Sequence, residues 1–271
     1  MSVSEHRARN FLENQQRPER IRFWQYKQES ALTLSVVIAD QGDSRVLNRI
    51  VAMQEELGKN VRGLPVVDDP YAHRGTCLYR YPRQELHCSL VRVLSSPHAF
   101  LHFVETMKQH FELEQQIVGC VEKQTPPRCY ATIGGFYSGG SDAVTDSFSL
   151  QMFPDPEFIA ALKRIRDCLT PDALGKLPEG LTLNPNVKGY PGADDPIERF
   201  PLNILRLMHN AGAGEEVAAQ IGDAVQEGIE RINTEYKSAK ERWLTLKIKK
   251  LVLVETDPFL HNPNTVKEFL L

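Results

Sequence analysis

A chain of 271 residues with 41% hydrophobic and 25% charged residues can bury a full core, which excludes disorder, collagen and coiled coil as whole-chain descriptions. Thirty-two Lys and Arg stand against 35 Asp and Glu, so no global field attracts a polyanion and any nucleic-acid contact must come from a local cluster. Cys77, Cys88, Cys120, Cys129 and Cys168 are odd in number and show no C-x-x-C spacing, which fits free thiols in a reducing compartment better than a zinc site or a disulfide framework.

In chain order, residues 1–30 are polar and read as an N-terminal helical arm that docks through Phe23 and Trp24. They carry no apolar targeting core, and no later stretch has the length of a membrane span, so the expected location is the cytosol or nucleus, with no membrane partner. Residues 31–271 then form one bilobal domain. Its first strand is Ala31 to Asp40, followed by a helix from Ser44 to about Leu57, where Val46, Leu47, Ile50, Val51 and Leu57 recur at helical spacing. After a Pro/Asp/Gly-rich connection, Gln84 to Leu94 reads as a strand and His98 to Leu113 as a helix started by Ser95-Ser96-Pro97.

Two strand-like runs follow, Cys129 to Tyr137 and Ser147 to Phe153, joined by the Gly/Ser loop Ser138 to Asp142; Asp155 then caps a helix to about Leu169. Residues 171–199 make a long loop rich in Pro, Gly, Asn and Asp. The chain resumes with a strand from Phe200 to Met208, a helix from Gly214 to Tyr236 and a long last strand from Arg242 to Val254. This order gives an α+β fold: two pseudo-symmetric lobes of mainly antiparallel sheet, backed by helices, around a central groove. The halves echo each other, because superposing ELHCSLVRV on RFPLNILRL puts Leu90-Val91-Arg92 on Ile204-Leu205-Arg206 and Ser89 on Asn203.

The chemistry concentrates at His87-Cys88-Ser89. Alternation along a strand points His87 and Ser89 to one face and Cys88 and Leu90 to the other. An imidazole that can move a proton beside a hydroxyl that can hold a phosphoryl oxygen is the minimal kit for attack on a phosphodiester. An isolated histidine on a half-buried strand is the plain alternative.

An H-x-[ST]-hydrophobic strand followed by a helix resembles the first motif of the two-histidine phosphoesterase superfamily, which includes 2'-5' RNA ligase-like proteins and 2',3'-cyclic nucleotide phosphodiesterases. By order of elements the resemblance spans roughly residues 31 to 260. It implies two lobes that each offer one such strand to a shared groove, one histidine as general base and the other as general acid, hydroxyls on the phosphate, and no metal or other cofactor. Here the second motif departs from the pattern: Pro201 stands where the second histidine belongs and Asn203 at the hydroxyl position. No other histidine has Ser or Thr two residues later. Asn203 can donate an amide N–H to a phosphate oxygen, but neither it nor Pro201 can transfer a proton.

Arg92 and Arg206 hold equivalent places and suit phosphate recognition by their forked donors, provided a bulge or strand end turns them from the face that regular alternation gives them, opposite His87 or Asn203. Otherwise they are salt-bridge partners on the outer layer. Tyr81 and Tyr137, with Tyr79 and Phe136, are candidates to stack on a base, or else core aromatics. Gly134 to Ser141 lacks the lysine of a phosphate-binding loop, and His98, His102 and Glu105 at helical spacing lie in an ordinary amphipathic pattern. The expected function is a phosphodiesterase acting on a nucleotide or RNA end, at a 2',3'-cyclic phosphate or a 2'-5' linkage, with His87 and Ser89 catalytic and Asn203, Arg92, Arg206, Tyr81 and Tyr137 binding substrate. The alternatives are a homologue that binds nucleotide or RNA without turnover and a structural or interaction protein.

Overall fold

The computed structural model describes residues 30–65, 75–96, 111–126, 128–136, 147–179, 181–183, 199–210, 215–238, 244–256 and 264–271. Strand β1 (Ser30–Val37) leads through a one-turn 3-10 helix, Ala39–Gln41, and a left-handed Gly42 (φ 70°) into helix α1 (Ser44–Asn60). Glycine is favoured at that positive φ because it has no Cβ to clash. The α1 N-cap is Asp43, whose carboxylate accepts from the amides of Arg45 and Val46 at 3.1 Å each. Strands β2 (Gly75–Arg80) and β3 (His87–Ser96), helix α2 (Phe111–Gln124) and strand β4 (Cys129–Phe136) complete the first half.

The second half begins with β5 (Ser147–Pro154) and α3 (Pro156–Cys168). As the sequence predicts, Asp155 caps α3: its side chain accepts from the Phe158 amide at 2.7 Å, and its second oxygen accepts from the Tyr130 amide at 2.8 Å, tying the helix start to β4. A single turn α4 (Pro171–Leu174), β6 (Thr182–Leu183), β7 (Phe200–Asn210), α5 (Glu215–Ser238), β8 (Leu244–Ile248), β9 (Lys250–Thr256) and β10 (Asn264–Leu270) follow.

The described strands form one ten-stranded sheet in the order β10-β9-β1-β3-β7-β5-β4-β8, with β2 paired to β7 and β6 to β3. Every described pairing is antiparallel, so the fold is α+β as expected. Among the described residues no helix is long and apolar enough to cross a membrane. The pairing interleaves the two halves of the chain. Each half lends strands to the other: β4 pairs with β5 while β9 pairs with β1, and β2 pairs with β7 while β6 pairs with β3. The helices exchange in the same sense, α1 packing on α5 and α2 on α3.

The helices back one face of the sheet. Val46, Ile50 and Leu57 of α1, Ile117 and Val121 of α2, Phe158 and Leu162 of α3, and Ile221 and Val225 of α5 share a single core with Leu32, Leu34, Cys88 and Leu202 of the strands. Full burial of each large apolar side chain contributes roughly 1.5–3 kcal/mol, which is what holds helix to sheet. Where α1 meets α5, a Cβ at Gly228 would collide with Asn60 and Leu57, so glycine permits the approach that lets Asn60 donate to the Ala224 carbonyl at 3.1 Å. The opposite face of β1 and β9 carries a small separate cluster of Val37, Val252 and Val254.

Several expected boundaries differ. The single strand Arg242 to Val254 is two strands with different neighbours: β8 pairs with β4 and β9 with β1. The break is held by Gln41, whose side-chain oxygen accepts from the Lys249 and Lys250 amides while its amide donates to the Val37 and Lys250 carbonyls. Strand β2 lies in the segment read as a connection, β10 follows the last strand expected, and α2 runs on to Gln124. The loop expected over 171–199 contains α4 and β6. The arm before residue 30, the segment 98–110 and the loop 138–142 lie outside the described residues.

Candidate functional site

The two halves meet where β3 runs beside β7, and the contact is two residue pairs long: His87 opposite Asn203 and Cys88 opposite Leu202. Directly opposed residues share a face. Cys88 and Leu202 enter the helix-side core, and burial pushes the Cys88 thiol well above its ordinary pKa. His87, Ser89 and Asn203 therefore share the other face, as alternation on each strand requires. Ser89 faces Ser35 of β1, and Asn203 faces Ser149 of β5. A buried polar strip thus crosses the middle four strands: His87 is 5% exposed, Asn203 9%, and Ser35, Ser89 and Ser149 are also buried.

Both inner strands carry a bulge at the same place in the repeat. On β3, Ser89 pairs with Ser35 and Val91 with Leu34, leaving Leu90 as the extra residue. On β7, Asn203 pairs with Ser149 and Leu205 with Phe148, leaving Ile204 extra. An extra residue shifts the alternation by one beyond it. Arg92 consequently falls opposite Thr33, which lies two residues from Ser35, so it shares the face of His87 and Ser89 rather than the opposite one. Arg206 falls opposite Ser147 in the same way by backbone register. The internal match therefore extends to the neighbouring strands: Thr33-Leu34-Ser35-Val36-Val37 beside β3 corresponds to Ser147-Phe148-Ser149-Leu150-Gln151 beside β7.

The local hydrogen bonds fix orientations. His87 Nδ1 meets the Glu85 carbonyl. A carbonyl only accepts, so Nδ1 carries the proton and Nε2 is the basic nitrogen of the neutral ring. Tyr81 stands edge-on to the imidazole, with ring centroids 5.5 Å apart and planes at 78°, and is itself buried at 1% exposure. Ser149 Oγ donates to Asn203 Oδ1 at 2.8 Å, which turns the Asn203 amide so that its two N–H donors point away from Ser149. Gln54 of α1, reaching through from the helix layer, donates to the carbonyls of Tyr81 (2.9 Å) and the bulge residue Ile204 (2.6 Å). One side chain thus ties the segment before His87 to the strand that carries Asn203.

Pro201 is exposed and pairs with Gln151, where the pseudo-symmetry would place a counterpart of His87. Beyond it, Arg199 is exposed and donates to Gln151 Oε1 at 3.0 Å. His87, Ser89, Asn203 and Arg92 are thus brought to one face with Tyr81 against the histidine. For Arg206 only the backbone is described, and Tyr137 lies outside the described residues, as do His98, His102 and Glu105. His209 belongs to β7 with its backbone opposite Thr76, six residues from Asn203. Among the described residues no group of three or more His, Cys, Asp or Glu side chains could hold a metal ion.

Sequence reasoning did not single out Thr33, Ser35, Ser149 or Gln151. The signal was present as hydroxyls two apart on β1 and β5, the spacing that also joins His87 to Ser89, but in a β-branched run it reads as ordinary strand composition. Chemically, the strip offers one proton-transfer nitrogen, neutral hydroxyl and amide donors, and a guanidinium on one buried face. Comparison with known proteins finds no matching family model and no similar curated protein. Among solved structures the chain is similar to TT0787 of Thermus thermophilus, at 14% identity, with 89% of this chain and 97% of that chain covered and a TM-score of 0.44.

Proposed function

We propose that the protein acts on nucleotide or RNA-end phosphodiesters, a 2',3'-cyclic phosphate or a 2'-5' linkage, as a two-histidine phosphoesterase-like protein that keeps one of the two histidines. The observation that carries this reading is the placement of His87 directly opposite Asn203 at the junction of the two halves. In this reading His87 Nε2 takes the proton from the attacking water or hydroxyl, and Ser89 and the Asn203 amide donate to phosphoryl oxygens. Neutral donors in a buried site stabilise developing charge more strongly than they would in water. Pro201 supplies no acid for the leaving oxygen, so that oxygen must take its proton from His87 itself or from water.

The test is hydrolysis of nucleoside 2',3'-cyclic phosphates by the wild type and by His87→Ala. General acid–base catalysis is worth about 10²–10⁴-fold, so the variant should lose at least about a hundredfold in rate. Equal rates would remove His87 from the mechanism. Pro201 favours a second reading, in which the same site binds the phosphodiester without turnover. Calorimetric binding that depends on His87 and Asn203, with no product formed, would select it.

A further inference from the structure

Chemistry at His87 leaves part of the polar strip unused. Thr33 and Ser35 of β1 are each 1% exposed and Ser89 of β3 is 0% exposed, yet the hydroxyls of all three have no hydrogen-bond partner among the described residues. Burying a hydroxyl without a partner costs free energy, and native structures rarely carry such groups in a row. These three are neighbours: Ser35 faces Ser89, and Thr33 lies two residues along β1 opposite Arg92. They are flanked on the far side by Val252 and Val254 of β9, which offer no polar atom from their side chains.

Distance along the strands separates this row into two parts. Ser89 belongs with His87, while Thr33 and Arg92 lie about 7 Å further along the sheet, one two-residue step of a strand. Ser35 stands level with Ser89 across the β1–β3 pair and belongs with the first position. A hydroxyl can donate to an anionic oxygen without adding charge, and Arg92 brings a guanidinium to the same face through the Leu90 bulge. Two such positions, one at the histidine and one a strand step away, suit two neighbouring phosphates better than one.

We propose that Thr33 and Arg92 form a second phosphate subsite one strand step from His87, Ser89 and Ser35, which takes the adjacent phosphate of an oligonucleotide end. This rests on the phosphodiester reading of His87 and extends it: the preferred ligand is an RNA end of two or more nucleotides rather than a mononucleotide.

The experiment compares a mononucleotide 2',3'-cyclic phosphate with a diadenosine ending in the same cyclic phosphate, each titrated by calorimetry into wild type and into the variant Thr33→Val. Wild type should bind the dinucleotide more tightly. The variant should lose about tenfold on the dinucleotide and keep its mononucleotide affinity within about twofold, since only the second phosphate has lost a donor. Its melting temperature without ligand should match or exceed that of wild type, because a buried hydroxyl without a partner has been removed. Unchanged dinucleotide affinity, an equal loss on both ligands, or a lower ligand-free melting temperature would each overturn the subsite while leaving the His87 reading in place. Failure of wild type to bind either ligand would instead overturn the phosphodiester reading, and the subsite with it.

Discussion

Gln54 is the most exacting place to perturb this architecture, because one buried amide serves two distant segments. Its side chain is 6% exposed and donates to Tyr81 O and Ile204 O, residues 27 and 150 positions away in sequence. Gln54→Leu keeps similar bulk and removes both donors. Ile204 O retains a bond from the Tyr81 amide at 3.3 Å, whereas Tyr81 O loses the partner that Gln54 supplied. Each hydrogen bond lost from a buried group costs about 0.5–1.5 kcal/mol net, so losing both should make the variant less stable by about 1–3 kcal/mol. Urea denaturation of wild type and variant measures this directly, with m unchanged if only the native contacts are lost. Because the bond also holds the Ile204 bulge beside Asn203, ligand affinity at His87 and Asn203 should fall in variant protein that is still folded. Gln54→Glu adds a sign. A buried carboxylate aimed at two carbonyls is favoured only when protonated, so its folded pKa lies above the unfolded one, and the variant should lose stability as pH rises past the ordinary carboxylate range. A Gln54→Leu variant within about 0.5 kcal/mol of wild type would refute the idea that this side chain locks the two halves, since changes of that size are typical of surface positions.

Asp155 closes the α3 N-terminus and also holds the Tyr130 amide, so Asp155→Ala should cost about 1–2 kcal/mol by chemical denaturation, with Asp155→Asn recovering part of it. Burial, helped by the nearby Asp155 and Glu157 charges, pushes the Cys129 thiol from 9.0 up to about 12. The native protein therefore keeps this proton where the unfolded chain has lost it, and its contribution to stability should fall as pH rises from about 9 to about 12. Alkylation of Cys129 should accordingly be far slower in native than in denatured protein at pH 8, which mass spectrometry of the labelled peptide reads out.

The strands that carry the site were legible because their signal is local. The His87–Ser89 alternation and the echo in Phe200 to Met208 depend only on a period of two, and β3 and β7 keep it up to the bulges. Beyond them the sequence is silent. Leu90 and Ile204 look like any apolar strand residue, and what makes each an extra residue is the register of β1 and β5, so the face of Arg92 could not be fixed from its own strand. The break between β8 and β9 was hidden for a similar reason. In LTLKIKKLVLV the alternation slips at Lys249-Lys250 but no Gly, Pro or turn residue marks an end, and the agent of the break is Gln41, 208 residues away from Lys249. Strand β2 was missed because six residues in a Gly/Pro-rich stretch become a strand only through the exposed edge of β7 that they complete. Asp155, by contrast, acts on the Phe158 amide three residues ahead in the helix it starts, so that cap can be read in place.

The central claim is that His87 and Asn203 receive a phosphodiester together. An NMR titration with a nucleoside 2',3'-cyclic phosphate, following the His87 ring and the Asn203 side-chain amide, addresses this without requiring turnover. Saturable shifts of both signals with one common dissociation constant, abolished for Asn203 in His87→Ala, are the predicted result. Signals that stay unmoved at saturating ligand, or that move with unrelated affinities, would contradict it.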